Sequence, residues 1–267
     1  MIKRWFANRF IANLTALLIM AAALVGANFL QSDTSLQIVE STGALRICVP
    51  ASFPPLVTGD AKAPGFDVAV LEEIARRMNL RLSLNVNYLM GRDFNPRNWQ
   101  ITRASCEVIA GGVVTSGITA SFLETIPTGL VNGWVMLAPK GMKFTEDQAV
   151  AVYPGFSGLD RLALSSYLRS QGLKITLVAS IDELQQGVQA GRFAAVVASH
   201  LDILRIESMM PEWALTWLPD SLGRFSFGFG LWRGDVTLKR KILGVYRALE
   251  AEGFIGAQKQ KYGLKSN

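Results

Sequence analysis

The sequence predicts an α/β protein with two lobes, and three observations support this fold class. Half of the 267 residues are hydrophobic and only 18% are charged, a composition typical of a folded chain. Short apolar strands alternate with amphipathic helices after residue 44, an order typical of mainly parallel sheets flanked by helices. This alternation occurs in two successive units, and strands predicted over 131–138 and 225–232 would join them.

In the first unit the predicted helix carries the clearest pattern. Phe66 and Val70 begin an apolar stripe at i, i+4 spacing, and Asp67, Glu72 and Glu73 are expected on the solvated face. Residues 31–41 are expected to form a short tether before the first strand. The predicted elements that follow are a strand over 45–49, a helix over 65–79, a strand over 80–86, a short helix over 98–105 and a strand over 106–111.

The second unit repeats the style of the first. Ser180 and Glu183 form the two ends of a capping box, which predicts a helix start at this point. The predicted elements are strands over 150–153, 175–179 and 193–198, helices over 159–170 and 181–190, the joining strand over 225–232 and a final helix over 235–252.

The N-terminus has the pattern of an export signal. Lys3, Arg4 and Arg9 precede an uncharged stretch over 10–30, as in a basic n-region followed by an apolar h-region. The segment is either cleaved after residues 25–27 or kept as an inner-membrane anchor, because it is just long enough to span a bilayer. Both interpretations place the remainder outside the cytoplasm, in the periplasm or secreted.

Composition excludes several classes of site. One His and two Cys cannot form a four-ligand His/Cys zinc site, and a single His disfavours Ser-His-Asp or Cys-His catalysis. Without the three basic residues at the N-terminus the net charge of +6 falls to +3, which does not indicate nucleic-acid binding. Cys48 and Cys106 lie in apolar strands of an exported domain, so they are either a disulfide or two buried thiols. No metal or cofactor is expected.

Several segments, taken in order, resemble the bacterial extracellular solute-binding proteins of family 3. The resemblance lies in residues 45–49, 52–55 and 65–80, continues through 106–112, Thr115 and Pro127, and ends with 191–198 and 228–234. It implies a type II periplasmic-binding-protein fold whose lobes close over a small solute. It also implies a monomer that delivers this solute to the membrane permease of an ABC importer. Lobe one would comprise 40–135 and 230–267, and lobe two 136–229.

The two charged anchors of this family are replaced by neutral residues. The family holds a ligand carboxylate with a Thr and a nearby Arg, and here Thr115 is present while Ile118 stands at the Arg position. The family's Asp for the ligand ammonium is replaced by Ser199. Because a buried charge without a partner is costly, the ligand is not expected to be a standard zwitterionic amino acid. A different Arg, at 92, 97 or 103, remains an alternative anchor.

The other expected ligand contacts lie in loops at strand ends. Phe53 is either an aromatic contact or part of the core, and Ser116 and Gly117 offer a hydroxyl and backbone N–H groups beside Thr115. Ser157 precedes a helix, where it either binds an oxygen of the ligand or only caps the helix. Trp99 and Trp134 are expected in core or hinge packing.

Three functions follow from these expectations. The main prediction is a non-enzymatic transport receptor without catalytic residues. One alternative is a dehydratase-like enzyme on the same fold, resembling cyclohexadienyl dehydratases, for which Glu124 and His200 are the available acid–base groups. His200 is otherwise expected to begin a helix. The other alternative is a membrane-tethered accessory or sensor protein that binds a protein partner.

Overall fold

The computed structural model describes residues 13, 15–22, 33–90, 95–143, 145, 148–155, 159–207 and 210–264, without the side chain at 205. The chain forms two compact units, Met1–Thr34 and Ser35–Asn267. Within Met1–Thr34, residues 15–22 are helical. Among the described residues, no helix has both the length and the apolar character needed to cross a bilayer. The predicted cleavage site over 25–27 lies outside the described residues.

The compact unit Ser35–Asn267 contains nine strands and eight α-helices among its described residues. The strands are β1 Ala44–Val49, β2 Arg81–Val86, β3 Val108–Val114, β4 Leu123–Pro139, β5 Ala149–Val152, β6 Lys174–Leu177, β7 Ala195–Ser199, β8 Trp213–Trp217 and β9 Arg224–Trp232. The helices are α1 Ser35–Thr42, α2 Phe66–Arg77, α3 Gly117–Ala120, α4 Arg161–Ser170, α5 Ile181–Gln189, α6 His200–Glu207, α7 Val236–Ala251 and α8 Phe254–Lys261.

The strands form one sheet with two similar halves. The order is β2-β1-β3-β9-β4-β7-β5-β6, with β8 on the other side of β4 from β7. β2, β1 and β3 are parallel, as are β6, β5 and β7, whereas β4 and β9 run antiparallel to their neighbours. This arrangement confirms the predicted two-lobed α/β class. The antiparallel pairs come from the long strands that join the halves.

We name the halves by their elements. Lobe 1 comprises β1–β3, β9, the first part of β4 and helices α1–α3, α7 and α8; lobe 2 comprises the last part of β4, β5–β8 and helices α4–α6. Lobe 1 has one large apolar core that includes Phe66, Phe227 and Phe229. In lobe 2 two cores cover the two faces of the sheet, one beneath α4 and the other beneath α5 and α6. The predicted residue limits of the lobes remain a prediction.

Three expected segments differ from the structure. The helix expected over 98–105 is a short 3-10 turn, Pro96–Trp99, which ends because Gln100 adopts a left-handed backbone with φ of 53°. The strand expected over 131–138 is the last part of a strand of 17 residues. The expected tether contains α1, whose Val39 is fully buried and whose Ser35 hydroxyl lies 3.1 Å from the Thr237 hydroxyl of α7.

Candidate functional site

The lobes meet along a short stretch of β4 where strand ends from both sides converge. Thr115, which follows β3, is hydrogen bonded to Ser226 of β9, and Ser226 is the register partner of Val131. Three residues further along β4, Trp134 is the register partner of Ser199, the last residue of β7. At about 3.3 Å per residue this separation is roughly 10 Å along the strand. The predicted contacts Thr115 and Ser199 therefore flank the same hinge segment from opposite lobes.

On the lobe 1 side, Thr115 is tied to the hinge. Its backbone N–H and its hydroxyl both donate to the Ser226 carbonyl, at 2.8 and 2.9 Å. Ser116 caps the short helix α3 by accepting from the Thr119 N–H at 3.2 Å, and Gly117 is exposed. Ile118 is 60% exposed. At the expected Arg position the structure therefore offers an exposed apolar side chain.

Phe53 lies above a bulge in β3. Its ring packs edge-on against Phe227 with centroids 6.1 Å apart, and the side chain is half-buried. Gly111 and Gly112 form the bulge with φ of +84° and +100°, and a Cβ on Gly112 would lie 3.0 Å from the Phe53 ring. Only glycine allows β3 to adopt this conformation while passing so close to the ring. Phe53 thus has a core contact and leaves part of its side chain accessible.

Asp67 supports the same bulge from beneath. It is 2% exposed, and its Oδ2 accepts from the Gly111 N–H at 2.8 Å. Burial raises the pKa of Asp67 to about 7, against the opposing effect of hydrogen bonds from Gly111 and Gly112. The expectation that this side chain is solvated was wrong, because α2 begins with its first turn packed against β3.

On the lobe 2 side, Ser199 is buried and positions an acid that sequence reasoning missed. Its hydroxyl donates to Asp202 Oδ2 at 2.7 Å, and it is itself 2% exposed. A Cβ placed on Gly155 would lie 2.7 Å from the same carboxylate oxygen, so Asp202 lies against the loop that follows β5. A carboxylate therefore lies between the end of β7 and the loop after β5, one turn along α6 from Ser199. The available sequence signal was the spacing of three residues between Ser199 and Asp202 at the start of a helix.

The start of α6 is fastened to the hinge. His200 begins α6, as predicted, and its Nδ1 lies 3.2 Å from the Val131 carbonyl while its ring stacks 4.6 Å from that of Trp217. Asn132 is fully buried and accepts from the Leu201 N–H at 3.2 Å. These contacts couple the orientation of lobe 2 to the backbone of β4.

The alternative anchors and acid–base groups that the structure describes have partners. Arg97 donates to the Ser121 hydroxyl at 3.1 Å, and that hydroxyl donates to the Ile118 carbonyl at 2.7 Å, so Arg97 lies beside α3. Arg103 forms an ion pair with Asp235. Glu124 accepts from Lys239 at 2.6 Å. Residue 92 and the predicted contact Ser157 lie outside the described residues. Among the described part of the chain, no group of three or more His, Cys, Asp and Glu side chains is arranged to hold a metal.

The two cysteines form a disulfide inside lobe 1. Cys48 and Cys106 are bonded, with Cα atoms 5.6 Å apart, because β1 and β3 are adjacent parallel strands. Trp232 donates its indole N–H to the Cys106 carbonyl at 2.7 Å and packs in the same small core. The bond thus joins the two strands whose carboxyl ends carry Phe53 and Thr115.

No protein-family model matches the chain, and no curated protein matches it in sequence. Solved structures do resemble it. A polar amino acid ABC uptake transporter substrate-binding protein from Streptococcus thermophilus has a TM-score of 0.69 at 16% identity, over 87% of this chain and 90% of that one. A mutant of ArgBP from T. maritima has a TM-score of 0.56 at 21% identity, over 86% and 100%.

An ancestral cyclohexadienyl dehydratase is also similar, with a TM-score of 0.57 at 16% identity over 89% of this chain and 99% of that one. Binding proteins and an enzyme therefore share this architecture. At these identities the likeness shows the fold. The fold that the chain shares with these structures is the two-lobed periplasmic-binding-protein fold.

Proposed function

We propose that the chain is an extracytoplasmic solute-binding receptor that closes its lobes over a small solute and delivers it to an ABC permease. The observation that carries this proposal is the convergence of strand ends from both lobes on residues 131–134 of β4. Ligands of open α/β sheets bind outside the carboxyl ends of the strands. Closure would be a hinge motion in which the ligand stabilises the closed state.

The proposed ligand is a solute without an α-carboxylate. On lobe 1 the exposed Ile118 offers no charge to a carboxylate, which would lose its solvation without gaining a partner. On lobe 2 the carboxylate of Asp202 supplies an acceptor for an ammonium or another donor. An amine therefore matches the uncharged side chain on lobe 1 and the carboxylate on lobe 2 better than an amino acid does.

Matched pairs of amino acids and their decarboxylated amines test this proposal. The unfolding temperature of the full chain would be measured with arginine against agmatine, histidine against histamine and tyrosine against tyramine. A ligand at 100 times its dissociation constant adds about 2.7 kcal/mol of stability. We expect at least one amine to raise the unfolding temperature while its parent amino acid does not. Equal or tighter binding of the parent would overturn the ligand proposal.

Variants separate the site from non-specific binding. Asp202→Asn should weaken amine binding at least tenfold, whereas Asp182→Asn, an acid-to-amide change on the exposed face of α5 in the same lobe, should not. If no amino acid or amine of these pairs binds, the alternative of an accessory protein that binds a protein partner is favoured. The intact chain isolated from membranes would then be tested for protein partners.

The dehydratase alternative is favoured by one similarity, to the ancestral dehydratase. The two candidate groups are poorly placed for acid–base catalysis. Glu124 is ion-paired with Lys239, and His200 is 7% exposed with its Nδ1 beside the Val131 carbonyl. Incubation of the full chain with prephenate distinguishes the two functions. If the chain turns over prephenate and His200→Gln abolishes this turnover, the dehydratase function would be correct and the receptor function wrong.

A further inference from the structure

The strand at the outer edge of the sheet in lobe 1 has one side open. β2 is the first strand in the sheet order, and among the described strands it pairs with β1 alone. Leu82 is half-buried, whereas Leu84 is 50% exposed and Val86 is 46% exposed. An edge strand presents unpaired N–H and C=O groups, which proteins usually protect with charges, proline or a covering segment.

The hydrogen bonds to β1 show which backbone groups of β2 point outwards. The Arg81 N–H donates to the Gly43 carbonyl at 3.0 Å, and the Asn87 N–H donates to the Val49 carbonyl at 2.8 Å. In a parallel pair the bonding residues alternate, so the odd-numbered residues of β2 bond to β1. The N–H and C=O groups that point away from β1 therefore belong to the even-numbered residues, Leu82, Leu84 and Val86.

The same three residues carry the apolar side chains of the strand. Their register partners on β1, in order, are Leu45, Ile47 and Val49. These partners are buried in the core of lobe 1, so the apolar side chains of β2 continue the core face of the sheet to its edge. The outward backbone groups and the partly exposed apolar side chains are therefore offered together.

The corresponding edge strand of lobe 2 is shorter and carries a charge. β6 has four residues and begins with the exposed Lys174. β2 has six residues, and its one charged side chain is Arg81 at the first position. Because lysine on an edge strand disfavours pairing with a further strand, β6 is protected where β2 is not.

We propose that β2 pairs with the β2 strand of a second copy of this chain, antiparallel about a twofold axis at Leu84. In this register Leu84 lies opposite its own counterpart, and Leu82 lies opposite Val86. Residues with outward N–H and C=O groups then face each other, so each of the three pairs forms two hydrogen bonds. The sheets of two lobes 1 become one continuous sheet.

The side chains match in the same register. Opposite residues of an antiparallel pair lie on one face, so the apolar residues pack on one another at the core face of the sheet. On the other face Ser83 lies opposite Asn85 and Arg81 lies opposite Asn87, so no like charges meet. A twofold interface requires a patch that is complementary to itself, and β2 meets this requirement at every position.

The size of this edge sets the expected affinity. A strand of six residues forms an interface smaller than the standard size of about 1,600 Å², so we expect a reversible dimer with a micromolar or weaker dissociation constant. This proposal differs from the monomer that the family resemblance implies. It does not depend on the solute, because β2 lies at the far edge of the sheet from the hinge strands.

Analytical ultracentrifugation of the full chain in a mild detergent, over a range of protein concentrations, tests the dimer. We expect the wild type to dimerise as its concentration rises and Leu84→Lys to weaken this association at least tenfold. The matched control is Leu177→Lys on β6, which is 70% exposed and should dimerise like the wild type. A wild type that stays monomeric would overturn the proposal and would favour an extended segment of another protein as the partner.

Single cysteines test the register. Cys48 and Cys106 are bonded to each other, so an introduced cysteine supplies the free thiol. In Leu84→Cys the two Cα atoms of the dimer would lie about 5.5 Å apart, within the range of a disulfide, and mild oxidation should cross-link the copies. In Ser83→Cys they would lie about 8 Å apart, beyond that range. Equal cross-linking of both variants would contradict the register.

Amide hydrogen exchange distinguishes strand pairing from other association. The N–H groups of Leu82, Leu84 and Val86 should exchange more slowly as the protein concentration rises, whereas those of Ser83 and Asn85 are bonded to β1 at every concentration. Dimerisation without this alternating protection would overturn the proposal. Dimerisation that persists in Leu84→Lys would overturn it as well, because this variant keeps the apolar stretch over 10–30 through which the chain could associate instead.

Discussion

The two lobes share a strand order but are held together differently. Lobe 1 carries the disulfide, the buried acid Asp67 and ion pairs between segments distant in sequence: Arg46–Glu107, Arg77–Glu252, Arg103–Asp235 and Lys239–Glu124. In lobe 2, within the described residues, no ion pair joins α4 or α5 to the sheet, and a cavity lies beneath α4. Lobe 1 is therefore cross-linked between distant segments, whereas the helices of lobe 2 are held to the sheet by apolar packing.

Removing the disulfide should have the largest effect on this contrast. In the Cys48→Ala, Cys106→Ala double variant the bond across 58 residues is lost, which should lower the free energy of unfolding by roughly 4 kcal/mol. Chemical denaturation of oxidised wild type and the variant measures this. Hydrogen exchange should show that β1 and β3 lose more protection than β5 and β7. An equal loss of protection in both halves of the sheet would remove the distinction between the lobes.

Asp67 should make the stability of lobe 1 dependent on pH. Because its pKa in the folded state, about 7, is raised above the ordinary value of 3.8, the native state binds this proton more tightly than the unfolded state does. Its contribution is full below about pH 4 and is lost as the pH rises through 7. Wild type should therefore lose a few kcal/mol relative to Asp67→Asn between these values.

Denaturation of wild type and Asp67→Asn at several pH values measures the difference, and the other titrating groups cancel in the comparison. A difference that stays constant from pH 4 to 8 would mean that Asp67 is charged throughout. The lobe 2 variant Asp182→Asn provides the control, since its side chain is exposed.

Ser199→Ala should have a moderate effect confined to lobe 2. The hydroxyl donates to Asp202 at 2.7 Å and is buried, so its loss should cost about 1–3 kcal/mol and should release the carboxylate from its position. Thermal unfolding and amine titration of the same variant measure both effects. A change in stability without any change in amine affinity would show that Ser199 has only a structural role.

The smallest expected effect lies on the surface of lobe 1. Glu73 contacts Arg76 and Arg77, and hydrogen bonds from Arg76, with a further contribution from Arg77, lower the pKa of Glu73 to about 2. Because the arginines are partly exposed, Glu73→Gln should cost less than about 1 kcal/mol. The difference from wild type should shrink in 1 M salt. A loss that persists at high salt would point to packing of α2 against α7 as its cause.

Much of the secondary structure was predictable because its signals are local. The apolar stripe of α2 and the capping box of α5 define helices from neighbouring residues, and in the structure the Ser180 hydroxyl accepts from the Glu183 N–H at 3.0 Å. The first part of β4 was missed because it alternates little and contains Pro127 and Gly129 within an antiparallel pair. β8 was missed because its pairing with β4 is a tertiary contact.

The site was predictable only in part. The strand ends that carry Thr115 and Ser199 follow from the order of strands and helices. The acid at Asp202 did not follow, since its role depends on Ser199 and Gly155 meeting one side chain from α6. The burial of Asp67 was missed for a similar reason, because a helix face is solvated or buried according to what packs on it.

The sequence by itself determined the α/β class and the apolar strands, because periodicity and side-chain chemistry are properties of the chain. The tertiary structure decided that Cys48 and Cys106 are bonded, that Asp67 is buried and that Asp202 lies against the loop after β5. It also decided that the Trp134 N–H is buried without an acceptor among the described residues. Each of these depends on distances between segments remote in sequence, which packing sets and local pattern does not.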